Sequence, residues 1–399
     1  MTLDLEMSER VVIRNFLSIE HAEIHLSQVT AMIGPQASGK SLVAKTFLFF
    51  RNYLFDLLFE AVEAAADKRT FDKEQRERFV ELFHIEQGTD RDFSIHYEKN
   101  GVKISVQGQK GGKNLQLKTS QNISKLFAKM KIDLHKFKDR NESQNKLHLR
   151  SDIYEFFEKY PNELGNIHNL PQTLLVPAAR SFYSTIRSEV FSLLSAQKTL
   201  DPVTVQFGRF YEVAKRRFES RRTGRKPGVT KFDEFQLTSK RILKGEFVRR
   251  ESKDWLKTDW GIIELPNSSS GQQEALPLLM SLSFYPSRFS SDQLLIIEEP
   301  EAHLFPLAQK EIIDMAVDVS EKSKCNIFFT SHSPYILACL NNHLVRTGKT
   351  RGKRFINAYY MHDGRCDEIF DDEDGLIDFS VLDSVSEDIS REFIASINE

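Results

Sequence analysis

The chain has 399 residues, of which 28% are charged, and a formal net charge of -2 at pH 7. That length suits two or three domain-sized units with ample chain for a core, and the even charge balance excludes a global bias toward nucleic acid or membrane. Cys325, Cys339 and Cys366 show neither CxxC spacing nor a zinc-type His cluster, which excludes a disulfide scaffold and leads us to expect reduced thiols in a cytoplasmic protein.

The first residues, 1–6, are acidic and unlike a signal peptide. No run approaches the ~18 apolar residues that span a bilayer. Residues 11–13 predict a short strand. Ala22, Ile24 and Leu26 alternate with His21, Glu23 and His25, which predicts a second strand with one buried face, paired to the first. Residues 29–33 read as a buried strand. It runs into Gly34-Pro35-Gln36-Ala37-Ser38-Gly39-Lys40-Ser41, which fits the phosphate-binding loop pattern without mismatch. A helix-favouring run follows over 42–66. Strand, loop and helix together are the context this pattern needs. Gly34 and Gly39 permit torsions closed to other residues, so successive N–H groups can face phosphate oxygens. The helix start adds its positive end. Lys40 then suits the β- and γ-phosphates, and the Ser41 hydroxyl suits Mg²⁺.

Residues 71–83 predict an amphipathic helix. Residues 93–97 and 102–106 alternate around Asn100-Gly101, a strong hairpin signal. Residues 108–112 read as a polar loop, with helices expected over 123–137 and 153–160. Residues 173–180 read as a buried strand stopped at Pro177. Arg180, just beyond, fits a coupling or phosphate contact and a structural ion pair equally. Residues 182–220 read as helical with a basic end, Lys215, Arg216, Arg217, Arg221, Arg222, Arg225 and Lys226. Such runs are usually solvated; an acidic partner or a phosphate backbone is the other reading.

Strands are expected over 247–250 and 261–265. Small polar residues, Ser268-Ser269-Ser270-Gly271-Gln272, then precede a helical run over 275–284, a second anion-attracting helix start. Residues 293–297 form an apolar strand that ends in Glu298-Glu299-Pro300-Glu301. Residues 327–331 form another that ends in His332-Ser333-Pro334. Residues 357–361 and 368–370 suggest a final hairpin, 371–374 a solvated acidic loop, and 377–397 a broken amphipathic helix.

In this order the motifs resemble those of ABC-type ATPases: Walker A at 34–41, signature at 268–272, Walker B at 294–299 and switch histidine at His332. The signature departs from LSGGQ at two positions, with Ser268 for Leu and Ser270 for the first Gly. Glu-Glu-Pro-Glu-Ala-His-Leu at 298–304, Asn15-Phe16, Val176-Pro177-Ala178-Ala179-Arg180 and Thr330-Ser331-His332-Ser333-Pro334 are similar to the OLD-like (AAA15/AAA21) branch. The resemblance implies an α/β fold: an ABC-ATPase head with a mixed sheet and a P-loop, formed by 1–60 and 171–399, with an inserted helical and β-hairpin region at 61–170.

It also implies ATP and Mg²⁺ as cofactors and hydrolysis of ATP to ADP and phosphate. Gly34, Pro35, Gln36, Ala37, Ser38, Gly39, Lys40 and Ser41 would cradle the phosphates, with Ser269 and Gly271 completing the site from another subunit of a homodimer or higher even-numbered oligomer. Ser41 and Glu298 would hold the metal, Glu299 would polarise the attacking water, and His332 would contact the γ-phosphate. The resemblance further implies a stand-alone ATPase subunit of a cytoplasmic antiphage system, such as those of PARIS, Septu or retron loci. A Toprim nuclease like that of full OLD proteins has no room after His332, so a separately encoded protein effector, toxin or nuclease, is expected. A phage protein or DNA would be the trigger, and no membrane is involved. The alternative is a RecF/Rad50-like repair or chromosome-maintenance ATPase. A transporter subunit is disfavoured by the long insert and the acidic Walker B variant.

Overall fold

The computed structural model describes residues 9–60, 67–85, 89–142, 172–186, 200–219, 231–286, 292–348, 355–378, 380 and 391. The helix expected over 153–160 and nearly all of the one over 377–397 lie outside them.

Strands with one or both faces apolar assemble first into a single sheet. Its members are β1 (Glu9–Phe16), β2 (Ile19–Leu26), β3 (Val29–Ile33), β4 (Phe93–Lys99), β5 (Val102–Gln109), β6 (Lys113–Thr119), β7 (Gln172–Val176), β11 (Gln293–Glu298), β12 (Asn326–Ser331), β13 (Ile356–His362) and β14 (Arg365–Glu368). The order is β6-β5-β4-β1-β2-β14-β13-β3-β12-β11-β7. One half, β6 to β2, is antiparallel. The other half, β13 to β7, is parallel. The fold is α/β with a large mixed sheet.

Parallel strands carry layers on both faces, which is why β3 and β11 read as unbroken apolar runs. Successive side chains still alternate. Met32, Leu294, Ile296 and Phe328 join one core, with the antiparallel strands and α1 (Lys40–Phe55). Ala31, Ile33, Leu295, Ile297 and Phe329 join the other. That second core is closed by α7 (Ser270–Phe284), α8 (Pro306–Ser323) and α9 (Pro334–Thr347), with α5 (Pro202–Glu219) and α6 (Lys231–Leu243) beyond. Pro306 and Pro334 sit in the first turn of their helices, where no amide donor is needed.

Several elements go beyond the sequence reading. The polar loop after Gly108 is brief, and β6 adds a third strand to the hairpin, with its Leu115 and Leu117 facing in. Strands β4 to β6 are continuous with the main sheet, because β4 pairs along β1. The helix from Leu42 becomes a π-helical turn at Asp56–Glu60. A helix over 68–83, α2 (Lys68–Phe83), is capped by Asp67, whose side chain accepts from the Arg69 and Thr70 amides. Helix α3 (Gln121–Glu142) covers the expected 123–137. The segment after Arg180 is a short helix, α4 (Ser181–Thr185). A small sheet of β8 (Gly245–Arg250), β9 (Lys253–Thr258) and β10 (Gly261–Glu264) contains one strand, β9, that was not expected. The final hairpin forms from β13 and β14 around Asp363-Gly364. The acidic residues 371–374 turn between two further short strands, β15 (Phe370–Asp371) and β16 (Leu376–Ile377).

Of the basic run, only Lys215, Arg216 and Arg217 are described. Lys215 does not belong to a surface. It is 1% exposed, bonds Glu212 and Asp254 and lies over the Tyr211 ring. It fastens α5 to β9. Arg216 and Arg217 are exposed.

Candidate functional site

The parallel strands β3, β12 and β11 end on one edge, and the candidate residues follow from that. The loop 34–41 leaves β3 and enters α1. Gly34 has φ 157° and packs so closely on the main chain of β13 that a Cβ there would lie 2.1 Å from the Met361 carbonyl oxygen. Gly39, at φ 108°, is the residue before α1, and a Cβ there would meet Ile19 at 2.9 Å. Both glycines are therefore needed for space as well as for torsion. The start of α1 has no side-chain cap, so its first amides remain available to an anion.

A cleft of about 410 Å³ is lined by loop residues Gln36 to Leu42 with Ser18, Glu299, Thr330 and His332. The sequence thus foretold neighbours 292 positions apart: Lys40 Nζ and His332 Nδ1 are 3.5 Å from each other. Lys40 also donates to the carbonyls of Gly34 at 2.9 Å and Pro35 at 2.6 Å, and to Ser38 Oγ at 3.3 Å. Burial pulls its pKa down to about 8, against the attraction of Glu299 and Glu301.

Glu298 ends β11 beside the loop. Burial raises its pKa, although the Ser41 hydroxyl, Lys45 and the Ala178 amide all favour its charge. Its Oε1 is buried and has no hydrogen-bond partner among the described residues. A carboxylate that is desolvated, short of a donor on one oxygen and bonded to a hydroxyl has the chemistry of a hard-cation site completed by phosphate and water. Ser41 and Glu298 therefore fit Mg²⁺.

Glu299 stands in the left-handed region at φ 44°, costly for a residue with a side chain. Its amide donates to the Thr330 carbonyl at 2.8 Å, and its Oε1 lies 3.4 Å from His332 Nε2. The imidazole thus bridges Lys40 and Glu299.

Two more residues act here: Glu301, whose role sequence reasoning did not place, and Arg180, for which it left a coupling or phosphate contact and a structural ion pair open. Glu301 Oε1 accepts from the His332 amide and from Ser331 Oγ, both at 2.7 Å, so it holds the histidine loop. Three carboxylates in a row were visible, but the one that folds back could not be told from the others. Arg180 is fully buried and grips the main chain behind Glu298 and Glu299. That position rules out contact with a phosphate in the cleft.

Ser269 and Gly271 do not line this cleft. Ser269 caps α7 in a capping box with Gln272. Gly271 lies against the His303 carbonyl, which a Cβ would approach to 2.9 Å. Two other clefts, of about 250 and 400 Å³, open on the outer face of the antiparallel strands and contain none of the candidate residues.

The protein-family model described as "AAA domain, putative AbiEii toxin, Type IV TA system" matches residues 29–338, a span that holds the loop 34–41, residues 268–272, 294–299 and His332. The chain belongs to this AAA-domain family. No curated protein matches it. Among solved structures, the Smc head bound to the C-winged helix domain of ScpA is similar at 12% identity and TM-score 0.46, over 91% of this chain and 97% of that one. The SMC head domain from Thermotoga maritima is similar at 12% and 0.40, over 91% and 98%. The ADP conformation of MJ1267, an ATP-binding cassette of an ABC transporter, follows at 11% and 0.34, over 92% and 93%. Among the described residues of this family member, no helix is long and apolar enough to cross a membrane.

Proposed function

We propose that this protein is an ATP-binding and ATP-hydrolysing switch subunit of an antiphage defence system, acting on a separately encoded toxin or nuclease. The observation that carries the ATPase reading is the meeting of Lys40, Ser41, Glu299 and His332 around one cleft, with Glu298 against Ser41. Phosphoryl transfer asks mainly for positioning and charge stabilisation. In this reading the loop amides and Lys40 hold the β- and γ-phosphates, and Ser41 and Glu298 hold Mg²⁺, which neutralises phosphate charge when bound. Glu299 orients and polarises the attacking water. His332, set by Glu301, contacts the γ-phosphate. The family's description, which names a type IV TA system, supports a place in a toxin–antitoxin type of system.

Ser269 and Gly271 stand outside the cleft, and we assign them to the cleft of a second copy. The start of α7 offers that copy's phosphate its positive end. Phe305, Leu307 and Tyr335 are 78%, 59% and 51% exposed at the beginnings of α8 and α9, on the edge where β11 and β12 end. Apolar groups so exposed are suited to cover by the second copy.

The test is co-purification with the products of neighbouring genes, with and without MgATP. A toxin or nuclease partner is expected, with capture altered by ATP. Lys40→Ala should bind no ATP and lose that response. Wild-type turnover in Lys40→Ala would sink the ATPase assignment, and a permease partner would sink the defence reading.

The Lys40 environment adds a pH dependence. With its pKa pulled down to about 8, Lys40 loses its proton as pH rises through that value, whereas phosphate binding favours the ammonium. Affinity for MgATP should be flat below about pH 7 and fall by up to about tenfold per unit above about pH 8. Calorimetry in buffers of different ionisation enthalpy should show proton uptake on binding at the higher pH. Lys40→Arg keeps its charge throughout this range, so any ATP it still binds should show no such uptake.

A further inference from the structure

Arg180 is the most completely enclosed charge near the cleft. Its exposure is 0%, and that of its partner Glu274 is 2%. The guanidinium is spent on main chain. Nη1 donates to the carbonyl of Glu298 at 2.7 Å and to that of Pro177 at 3.2 Å. Nη2 donates to the carbonyl of Glu299 at 3.0 Å. Nε donates to the carbonyl of Glu274 at 3.2 Å and lies 3.3 Å from its carboxylate. The carboxylate of Glu274 also receives the amides of Arg180 at 3.0 Å and Ser181 at 2.9 Å. Glu274 belongs to the first turns of α7, the helix that begins with Ser270. Two residues before Arg180, the Ala178 amide supports the Glu298 carboxylate.

One side chain therefore joins the start of α7 to the peptides that carry both cleft carboxylates. The peptide of Glu299 is the strained one, at φ 44°. It is held on one side by its amide bond to Thr330 and on the other by the carbonyl bond to Arg180. Hydrogen bonds of a buried ion to carbonyls are strong and have no water to replace them. A shift of α7, such as contact with a second copy would impose at Ser269 and Gly271, must either move Glu299 or break this clasp.

We infer that Arg180 is a positioning residue for Glu299, and that the Arg180–Glu274 pair transmits the docking of the α7 start to the carboxylate that polarises water. This rests on the ATPase reading above. Lysine in place of Arg180 keeps a charge but cannot reach the carbonyls of Pro177, Glu298 and Glu299 together.

The experiment compares wild type, Arg180→Lys, Glu299→Gln and the double variant, reading kcat, MgATP affinity and melting temperature for each. Arg180→Lys is expected to lower kcat about 30- to 100-fold, as misplacement of a reacting group does, with ATP affinity within about threefold of wild type. Arg180→Lys should cost nothing further in the Glu299→Gln background, because both changes act through one carboxylate. Glu274→Gln, which keeps its buried volume, is measured alongside in case Arg180→Lys does not fold, and should lower kcat about tenfold with affinity kept. An unchanged kcat, a loss that multiplies with that of Glu299→Gln, or a fall in ATP affinity in step with melting temperature overturns the inference. Wild-type protein that hydrolyses no ATP overturns the ATPase reading and this inference with it. A hydrolysing wild type with a fully active Arg180→Lys variant overturns the inference alone.

Discussion

Glu299→Gln is expected to reduce ATP hydrolysis by about three orders of magnitude, the middle of the range for a positioned general base. Nucleotide binding should survive. The substitution removes a charge but keeps the shape, and it leaves in place Lys40 and Ser41, which line the cleft, and Glu298 beside Ser41. Its bond to the Thr330 carbonyl is made by the amide and is indifferent to the side chain. With MgATP unspent, copies joined through the α7 start should accumulate as an oligomer of even subunit number. Light scattering at micromolar protein with saturating MgATP checks this, against the same protein with ADP. A monomer with ATP would count against shared sites, and wild-type turnover would remove Glu299 from the chemistry.

The site was legible largely because its parts are local. The loop 34–41 is set by glycines whose torsions and close approach to Met361 and Ile19 leave no other residue type. Glu298 and Glu299 sit where a buried strand must end, so their residue types and place were both readable. The clasp was not legible, since Arg180 and Glu274 are 94 positions apart and nothing local marks an arginine that points inward. Lys215 shows the same blindness in reverse. It stands in a basic run, yet its neighbour in space is Asp254 on β9, a strand that was itself not anticipated. Helices α6, α8 and α9 were also missed, because the apolar stripes that bury them lie on sequence read mainly for its motifs. The outer strand β6 was missed for a different reason. An edge strand with one solvated face carries Lys and Gln at alternate positions, and only Leu115 and Leu117 betray it.

The opposite end of β11 carries the second large expected effect, and it concerns stability. Arg51, Glu9, Lys99 and Asp292 form a closed cluster where the strands begin. Arg51 is 0% exposed and Glu9 5%. Arg51 pairs with Glu9 at 2.5 Å and Asp292 at 2.8 Å, and Lys99 with the same two at 2.5 and 2.9 Å. Tyr97 donates its hydroxyl to Glu9 at 2.8 Å. The cluster ties α1, β1 and β4 to the start of β11, so it joins the two halves of the sheet. Charges balance two against two, which is what makes their burial tolerable. Asp292→Ala leaves two buried cations facing one carboxylate, a loss of about 3–5 kcal/mol. For a chain of this size that is a fall in melting temperature on the order of 5–10 °C. Burial alone would raise the Asp292 pKa, but Arg51 and Lys99 hold it below the ordinary range. The sign follows: the contribution is complete above the unfolded carboxylate's pKa and is lost as pH falls through the lower folded value. Wild type and Asp292→Ala should therefore differ most near neutrality and converge in acid. Six residues of strand, roughly 20 Å, separate this cluster from Glu298, so ATP turnover of Asp292→Ala at 20 °C or so should stay within about twofold of wild type. Melting curves across pH, with turnover measured on the same samples, separate this role from a catalytic one. Equal melting temperatures for the two proteins at neutral pH would show that the cluster contributes nothing to the fold.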